Sequence, residues 1–368
     1  MEKLKVIISG GGTGGHIFPA ISIANAIKER YPKSEILFVG AEGRMEMEKV
    51  PAAGYPIKGL PVAGFNRKNL LKNISVICKL YKSMSLAKKI IKDFKPDIAI
   101  GVGGYASGPI LKAASQQGIA TLLQEQNSYA GVTNKLLSKK ASKICVAYDG
   151  MEQFFLSEKI VLTGNPVRQD LIISEEKRKE AYSYFGLDTQ KKTIVIVGGS
   201  GGARTINDSV VASLDILSKR NDVQLLWQSG KYYYSLSKEK LGKYPKAPVE
   251  LVEFISRMDL AYSVADLIIS RAGAGSISEF SLLGKAVILV PSPNVAEDHQ
   301  RKNALALTKN KAALMIEDRD ALTNMIPEAL RVVNDEDLLK ELSENILKMA
   351  LPDSANKIVN EIENIIRK

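Results

Sequence analysis

One sequence device occurs twice in this chain: a short apolar run of strand type ends in a cluster of glycines and leads directly into a helical pattern. The first copy runs from Lys5 to His16 and reads KVIISGGGTGGH, and the second runs from Thr193 to Arg204 and reads TIVIVGGSGGAR. Glycine lets the backbone approach a ligand closely, and the helix start offers unpaired N–H groups and a positive dipole end to phosphate. One such turn per half predicts two α/β domains facing each other across a cleft, one for a phosphorylated donor and the other for a phosphorylated acceptor.

Short, continuously apolar segments alternate with helical patterns along the whole chain. This is typical of α/β proteins whose parallel sheets are buried on both faces. The predicted strands are Val6–Ser9, Glu35–Val39, Ile98–Val102, Thr121–Gln124, Lys143–Ala147, Ile160–Thr163, Thr193–Val197, Gln224–Gln228, Val249–Phe254, Leu267–Ser270, Ala286–Val290 and Ala313–Ile316. The pattern predicts two α/β domains, each with a buried parallel sheet, that join near Asn165–Pro166.

Length and cysteine usage favour a cytosolic enzyme. A chain of 368 residues is long enough for two cores, and its two cysteines, Cys78 and Cys145, lie in apolar sequence. We therefore expect a reducing compartment, with neither a disulfide framework nor a cysteine metal site. The first strand begins almost at once and no apolar run approaches the ~18 residues that span a bilayer, so we expect no signal peptide and no membrane span.

The net positive charge lies entirely in the N-terminal half. Residues 1–165 contain 23 Lys/Arg and 12 Asp/Glu, whereas residues 166–368 contain 28 of each. The segment from Lys58 to Lys95 carries ten basic residues and a single acid. This asymmetry predicts an anionic partner for one domain only, and nucleic acid is disfavoured because the sequence contains no recognisable nucleic-acid-binding module.

Apolar residues recur at helical spacing within the basic segment. They are Leu71, Ile74, Ile77, Tyr81, Met84 and Ile91. The pattern predicts an amphipathic helix whose apolar stripe packs on its own core, with the lysines on the solvated face.

The first glycine cluster is compatible with more than one function. Gly10, Gly12 and Gly15 satisfy G-x-G-x-x-G, which leaves a nicotinamide-dependent oxidoreductase open, although Glu42 is poorly placed as the supporting acid. No Lys-Ser/Thr follows, so the turn is not a P-loop. His16 at the helix start is a candidate general base because the pKa of histidine lies near working pH. The alternative is a histidine that only forms local hydrogen bonds.

The second cluster contains a possible hydrolase motif. Residues 198–202 match G-x-S-x-G, but the single downstream histidine, His299, adjoins Asp298 in sequence, which is poor geometry for a triad. We therefore interpret Ser200 as a phosphate contact at a helix N-terminus.

Four further segments follow predicted strands and carry site-like residues. They are residues 101–108, 124–127, 271–279 and 297–300. Open parallel sheets bind ligands at this edge, although turns favour Gly, Asn and Ser in any case.

Several motifs occur in one order along the chain: GGGTGGHIFP at 10–19, GVGGYASGP at 101–109, EQN at 125–127, GNPVR at 164–168, GGS at 198–200 and RAGAGSISE at 271–279. In this combination the chain resembles, over essentially its whole length, the bacterial peptidoglycan glycosyltransferases that add N-acetylglucosamine to lipid I and so form lipid II. The resemblance implies a GT-B fold: two Rossmann-like, doubly wound parallel-sheet domains separated by a deep cleft, with a C-terminal helix that returns to the first domain. The implied domains are residues 1–165 with 353–368, and residues 166–352.

The resemblance also implies the chemistry. The donor is UDP-N-acetylglucosamine, the acceptor is the 4-hydroxyl of the N-acetylmuramoyl unit of undecaprenyl-linked lipid I, and the anomeric carbon is inverted without a metal or cofactor. The enzyme would lie peripherally at the cytoplasmic face of the inner membrane, on anionic lipid.

Residue roles follow from the same resemblance. Arg168 and Ser200 would hold the pyrophosphate, Ile255 would contact uracil through its backbone, and Glu279 would bind the ribose. The residues beside the diphosphate and ribose are Ala274, Gly275, Ser276, Ile277 and Ser278. The residues that would contact the sugar or the reacting centre are Thr13, Gly14, Gly15, Asn127 and Gln300. His299 is an alternative to Gln300, because some members of the family have Gln-Gln where this chain has His299-Gln300. The residues facing the acceptor are Gly10, Gly11, Gly12, Gly103, Gly104 and Tyr105, with His16 as the base.

Two other functions remain open at this point. A nicotinamide-dependent oxidoreductase would account for the first glycine cluster but for neither the second cluster nor the Arg168 and Glu279 segments. A non-catalytic nucleotide-sugar-binding protein would keep the second half of the chain and have no use for His16.

Overall fold

The computed structural model of the chain describes residues 3–64, 73–167, 171, 173–199 and 201–367, apart from the side chains of residues 73, 74 and 296. Contacts divide the chain into two compact units, Met1–Arg168 with Leu351–Lys368, and Gln169–Ala350. We call them unit 1 and unit 2. The domain boundaries expected from the sequence stay predictions.

Unit 1 contains a seven-stranded parallel sheet of order β3-β2-β1-β4-β5-β6-β7. Its strands are β1 Lys5–Ser9, β2 Glu35–Ala41, β3 Ile57–Leu60, β4 Ile98–Gly101, β5 Ala120–Glu125, β6 Lys143–Val146 and β7 Ile160–Leu162. Its helices are α1 Gly14–Arg30, α2 Glu46–Ala52, α3 Asn73–Phe94, α4 Ser107–Gln116 and α5 Val132–Leu137, with 3-10 turns at Met151–Gln153 and Ser157–Lys159.

Unit 2 contains a six-stranded parallel sheet of order β10-β9-β8-β11-β12-β13. Its strands are β8 Lys192–Val197, β9 Val223–Gln228, β10 Val249–Val252, β11 Leu267–Ser270, β12 Val287–Leu289 and β13 Leu314–Met315. Its helices are α6 Glu175–Phe185, α7 Arg204–Ala212, α8 Leu214–Leu217, α9 Tyr234–Leu241, α10 Met258–Val264, α11 Ala274–Leu283, α12 His299–Thr308, α13 Ala321–Val333 and α14 Glu336–Lys348, with 3-10 turns at Ala296–Asp298 and Asp318–Asp320.

The last helix, α15 Ser354–Ile366, belongs to unit 1 although it follows unit 2 in sequence. Its residues Ile358 and Ile362 are fully buried in the same core cluster as Ile27 of α1. At the surface, Glu363 accepts hydrogen bonds from Tyr31 Oη at 2.7 Å and from Arg30 at 3.1 Å. The helix α15 is therefore part of the hydrophobic core of unit 1.

The sequence patterns predicted every strand except β3. This strand reads IKGL, pairs with β2 alone and has Lys58 exposed, so it lacks the continuous apolar run that marks a central strand. It is an edge strand, where one face and one row of backbone groups are open to solvent.

The stripe predicted to pack α3 on its own core is wrong in its first half. Ile77 and Tyr81 are 45% and 75% exposed, whereas Ile91 is 2% exposed. The buried face instead follows Val76, Ser83, Ala87, Ile90 and Ile91. Leu71 and the side chain of Ile74 lie outside the described residues, and Met84 is half-buried.

Lys285, just after α11, is a partly buried cation that does not take part in any predicted site. Its ammonium group donates to the carbonyl oxygen of Ala265 at 2.9 Å. Burial, and then the charge of Arg178, lower the pKa of Lys285 to about 8, while Asp266 acts in the opposite direction. In the unfolded chain the pKa of this lysine is about 10.4. Between pH 8 and pH 10.4 the unfolded state therefore binds more protons than the folded state, and the free energy of unfolding rises with pH.

We predict that Lys285→Gln changes the pH dependence of stability. Relative to this variant, the free energy of unfolding of the wild type should rise by about 1–3 kcal/mol between pH 7.5 and pH 10.5, because over most of this range the folded state has released the Lys285 proton while the unfolded state still holds it. Urea denaturation at several pH values measures the difference. Lys309→Gln, a change at an exposed lysine, is the control. A wild-type-minus-variant difference that stays constant over this range would contradict the prediction.

Candidate functional site

The first glycine turn connects β1 to α1 in unit 1. Gly12 has φ of +87°, in the left-handed region that favours glycine. Thr13 then stands in extended conformation as the N-cap of α1, and its carbonyl accepts from the N–H groups of His16 and Ile17 at 3.1 and 3.2 Å. The N–H groups of Gly14 and Gly15 precede the first of these hydrogen bonds, which makes the start of the helix suitable for an anion.

The glycines after β4 pack directly against this turn. Gly103 and Gly104 have φ of +95° and +86°, and a Cβ on Gly104 would lie 2.5 Å from the carbonyl oxygen of Gly11. A Cβ on Gly103 would lie 2.8 Å from Nε2 of His16. The structure therefore brings together five of the six predicted acceptor residues and the predicted base: Gly10, Gly11, Gly12, Gly103, Gly104 and His16. The sixth, Tyr105, is 58% exposed and its ring lies against Gly64.

The imidazole of His16 has a defined orientation. Its Nδ1 lies 2.9 Å from the carbonyl oxygen of Gly11. A carbonyl oxygen only accepts, so in this contact Nδ1 carries the hydrogen. The neutral ring then has its basic lone pair on Nε2, the nitrogen beside Gly103.

A buried carboxylate lies beneath the same turn. Glu46, at the start of α2, is 1% exposed. Its Oε2 accepts from the N–H of Gly12 at 2.9 Å, and its Oε1 accepts from the N–H of Ala41 at 3.0 Å. The sequence analysis missed this residue. It considered only Glu42, as the acid that supports a dinucleotide site, and not an acid that binds the protein's own backbone.

Asn127 follows β5 and is held by its neighbour Glu125. Oε1 of Glu125 accepts from the backbone N–H of Asn127 at 3.1 Å and from its side-chain amide at 3.3 Å. Oε2 accepts from the N–H of Gly131 and from the amide of Asn134, both at 2.9 Å. The carboxylate thereby sets the orientation of the Asn127 amide group.

The remaining polar residues of the 124–127 segment point into the protein. Gln124 and Gln126 are 0% and 3% exposed. Gln126 donates to the carbonyl oxygen of Val102 at 2.8 Å, and Gln124 donates to Asn165 at 3.0 Å. These two glutamines of the site-like segment therefore serve the interior, because their amides satisfy buried groups of neighbouring loops.

The second glycine turn connects β8 to α7 in unit 2. Gly199 and Gly202 have φ of +89° and +81°, and a Cβ on Gly202 would lie 2.0 Å from the carbonyl oxygen of Ser229. Glycine is thus required for the turn to pack against the end of β9. Two predicted pyrophosphate contacts, Arg168 and Ser200, lie outside the described residues.

Gln228, at the end of β9, connects this turn to the predicted uracil contact. Its side chain is 2% exposed, donates to the carbonyl oxygen of Gly199 at 2.9 Å and accepts from the N–H of Ile255 at 3.0 Å. Because the N–H of Ile255 already donates to Gln228, the carbonyl is the backbone group that Ile255 can offer to a uracil ring. The sequence patterns missed the role of Gln228, although a polar residue ending an apolar strand is a usable signal.

The third glycine turn leads from β11 into α11. Gly273 is the N-cap in extended conformation, and helix residues Gly275 and Ser276 are half-buried. The N–H of Ile277 donates to the carbonyl oxygen of Gly273 at 3.0 Å, and its side chain is buried. Ile277 therefore shapes the turn and does not offer its N–H to a ligand. The hydroxyl of Ser278 donates back to the carbonyl of Ala274 at 3.0 Å.

Glu279 lies one and a half turns into α11. Its Oε2 accepts from the hydroxyl of Tyr262 at 2.6 Å. Tyr262 is 2% exposed and packs edge-on against Phe280, so the hydroxyl is a fixed donor. Sequence gave no signal for this partner, which lies on α10.

His299 and Gln300 open α12 after an irregular turn. Glu297 and Asp298 both have positive φ, +56° and +52°, which few residues other than glycine adopt. The side-chain oxygen of Gln300 accepts from the N–H of Ser292 at 2.9 Å. Next to these residues, unit 2 has a cavity of about 430 Å³ lined by Pro291, Ser292, Pro293, Asp298, Arg301, Glu317, Asp318 and Arg319.

Within the part of the chain that the structure describes, no group of three His, Cys, Asp or Glu side chains is arranged to hold a metal ion. No helix among those residues has both the length and the apolar character needed to cross a membrane.

Family models match both halves of the chain. Residues 6–146 match the glycosyltransferase family 28 N-terminal domain, and residues 193–358 match the glycosyltransferase family 28 C-terminal domain. Two curated relatives carry the name UDP-N-acetylglucosamine–N-acetylmuramyl-(pentapeptide) pyrophosphoryl-undecaprenol N-acetylglucosamine transferase. The protein of Parabacteroides distasonis is 62% identical over 100% of both chains, and that of Phocaeicola vulgatus is 64% identical over 100% of this chain and 98% of its own.

Solved structures agree on the fold. The crystal structure of Acinetobacter baumannii MurG matches with a TM-score of 0.78 and 26% identity, over 98% of this chain and 99% of that one. A UDP-GlcNAc 2-epimerase from Neisseria meningitidis, bound to UDP-GlcNAc, matches with a TM-score of 0.69 at 16% identity, over 98% of this chain and 100% of that one, and shows the fold alone. The predicted GT-B class, with two parallel-sheet α/β units, is confirmed. The chain is a member of glycosyltransferase family 28 and, within it, belongs to the UDP-N-acetylglucosamine–N-acetylmuramyl-(pentapeptide) pyrophosphoryl-undecaprenol N-acetylglucosamine transferases.

Proposed function

We propose that this glycosyltransferase moves N-acetylglucosamine from UDP-N-acetylglucosamine to the 4-hydroxyl of the N-acetylmuramoyl unit of lipid I, with inversion, and so forms lipid II. The observation that carries the proposal is the 62% identity, over the full length of both chains, to a protein whose name states this transfer. The glycine turns of the two units support it, since each offers helix N–H groups to a phosphorylated substrate.

We assign the donor to unit 2. The leaving UDP carries negative charge that must be stabilised as the glycosidic bond breaks, and helix N-termini and an arginine can do so without a metal ion. The proposed pyrophosphate contacts in unit 2 are the starts of α7 and α11 and Ser200. Arg168, which precedes unit 2 directly in sequence, is proposed as a further contact. Glu279, held by Tyr262, would accept hydrogen bonds from the ribose hydroxyls. Ile255 would recognise uracil through its backbone.

We assign the acceptor to unit 1. Gly10–Gly12, Gly103 and Gly104 form one backbone surface from two turns, a suitable support for the diphosphate of a lipid-linked sugar. Tyr105 borders it. Thr13–Gly15 and Asn127 are proposed contacts to N-acetylglucosamine. His299 or Gln300 is proposed separately as a contact to the same sugar.

In the proposed reaction, the acceptor oxygen attacks the anomeric carbon from the side opposite UDP. The C–O bond to the diphosphate breaks as the new glycosidic bond forms, which inverts the configuration through an oxocarbenium-like transition state. The hydroxyl proton goes to Nε2 of His16, because Nδ1 already donates to Gly11. The diphosphate leaves with the electron pair of the broken bond.

Donor binding is tested by thermal shift. We predict that UDP-N-acetylglucosamine raises the melting temperature of the wild type whereas NADH does not, and that Glu279→Ala loses most of the shift. A carboxylate that binds ribose acts in ground and transition states alike, so the donor KM should rise ~10-fold or more while kcat changes little.

The matched control is Glu239→Ala, which removes an exposed carboxylate in the same unit. Stabilisation by NADH in place of UDP-N-acetylglucosamine would favour the oxidoreductase. An unchanged donor KM in Glu279→Ala would remove this residue from the nucleotide site.

For the base, we predict that His16→Gln lowers kcat by ~10² or more, the usual contribution of a positioned general base. The thermal shift with UDP should stay as in the wild type, since the residue acts on the acceptor. Steady-state kinetics with a soluble lipid I analogue measure the effect. A folded variant with normal turnover would reduce His16 to a structural residue and show that another group accepts the proton.

We further propose that unit 1 docks on anionic lipid through α3. Ile77, Leu80 and Tyr81 are 45%, 41% and 75% exposed at positions i, i+3 and i+4, so they form one apolar patch. Lys79 and Lys82 are exposed on the same helix and adjoin Leu80 and Tyr81 in sequence. An exposed apolar patch on a helix that also carries exposed lysines fits the interface of an anionic membrane, where each lysine contributes about 1 kcal/mol.

We expect Lys79→Glu with Lys82→Glu to weaken binding to anionic vesicles by about 30-fold or more, because two contributions of about 1 kcal/mol are lost and repulsion is added. Binding of the wild type should also fall as salt rises. Flotation with vesicles of phosphatidylglycerol and phosphatidylcholine measures it. The double reversal of Lys238 and Lys309 in unit 2 gives the same net charge and should bind like the wild type. Equal loss in both variants would show that net charge, not the α3 surface, drives binding.

A further inference from the structure

We propose that Glu46 is a positioning residue for His16, acting through the single peptide group between Gly11 and Gly12. The inference rests on the proposed role of His16 as the base. It assigns a function to a buried carboxylate that the reaction scheme above leaves unused.

Glu46 and His16 bind opposite ends of one peptide group. The N–H of Gly12 donates to Oε2 of Glu46 at 2.9 Å, and the C=O of Gly11 lies 2.9 Å from Nδ1 of His16. These N–H and C=O groups belong to the same planar peptide unit. The contacts therefore form one continuous series from carboxylate to peptide to imidazole.

The carboxylate is fixed in place on its other side as well. Its Oε1 accepts from the N–H of Ala41 at the end of β2, and the residue is 1% exposed. A Cβ on Gly11 would lie 2.1 Å from Oε1, and a Cβ on Gly40 would lie 2.5 Å from Cγ of Glu46. The side chain thus fills the space that two glycines leave open, and it cannot turn away from the peptide without losing its buried partners.

The series gives the carboxylate two effects on the imidazole. A peptide between two glycines has little steric barrier to rotation, and Glu46 selects the orientation whose C=O faces His16. An ionised acceptor on the N–H also polarises the peptide, so that its C=O becomes a stronger acceptor for the Nδ1 hydrogen. Both effects keep the hydrogen on Nδ1 and direct the lone pair of Nε2 to the acceptor, the role that a directly bonded carboxylate has in a catalytic triad.

The first measurement uses the unmodified enzyme. The chain has two histidines, so ¹⁵N spectra of the imidazole rings contain two sets of signals, and His16→Gln assigns them. We expect neutral His16 to be the Nδ1–H tautomer, which is the minor form in free histidine. A wild-type His16 in the Nε2–H form would overturn the proposal regardless of any variant.

The second measurement compares Glu46→Gln with Glu48→Gln. Glu48 lies on the same helix and is exposed, so this control removes a charge without touching the turn. In Glu46→Gln we expect kcat to fall about 10- to 100-fold, the His16 signal to become a mixture of tautomers, and the donor KM and UDP thermal shift to stay within twofold of the wild type. Glu48→Gln should match the wild type in every readout.

The outcomes separate this inference from the proposed function. If His16→Gln is inactive while Glu46→Gln keeps the wild-type kcat and tautomer, the base stands and the positioning role of Glu46 is wrong. If His16→Gln turns over normally, the base assignment fails first and the role of Glu46 fails with it. A Glu46→Gln variant whose donor KM rises in parallel with the loss of kcat would show a general structural defect and overturn the positioning role.

Discussion

The structure depends on a property of parallel sheets: every strand of a sheet ends at the same edge, where the backbone must turn and enter a helix. In unit 1 this places the turn after β1 against the turn after β4, and in unit 2 it places the turn after β8 against the end of β9. Contacts this close require glycine, since a Cβ at Gly104 or Gly202 would collide with a backbone carbonyl. The glycines thus serve packing first, and the helix N–H groups exposed beside them become available to phosphate as a consequence.

Two of the glycine turns and the segment after β5 are each held by a buried polar side chain that binds backbone. Glu46 holds the first turn, Glu125 the segment that carries Asn127, and Gln228 the turn after β8. Such residues form hydrogen bonds with backbone groups that would otherwise be buried without partners. Each unpaired group would destabilise the fold by about 1–3 kcal/mol. Their geometry also restricts what the neighbouring residues can do, as with Ile255, whose N–H is engaged by Gln228.

The sequence predicted the class, the strands and the position of the glycine turns because these depend on local patterns: apolar runs of strand length and glycine at strand ends. It failed for β3, whose edge position tolerates Lys58 and Gly59, and for Ile77 and Tyr81, whose helical spacing looks the same whether the stripe faces a core or solvent. It also missed Glu46 and Tyr262, because their partners lie on other elements and no local pattern records a contact between α10 and α11 or between α2 and the first turn. What the sequence could not supply was the set of long-range hydrogen bonds that fix the site residues.

The fold alone does not settle the reaction, since a UDP-GlcNAc 2-epimerase has the same architecture at 16% identity. The most direct measurement is therefore turnover of UDP-N-acetylglucosamine labelled in its sugar, with and without a soluble lipid I analogue. The account predicts no change of the sugar nucleotide without acceptor and, with acceptor, one UDP released for each β-linked disaccharide formed. Epimerised sugar nucleotide in the absence of acceptor, or a disaccharide that retains the α configuration, would contradict it.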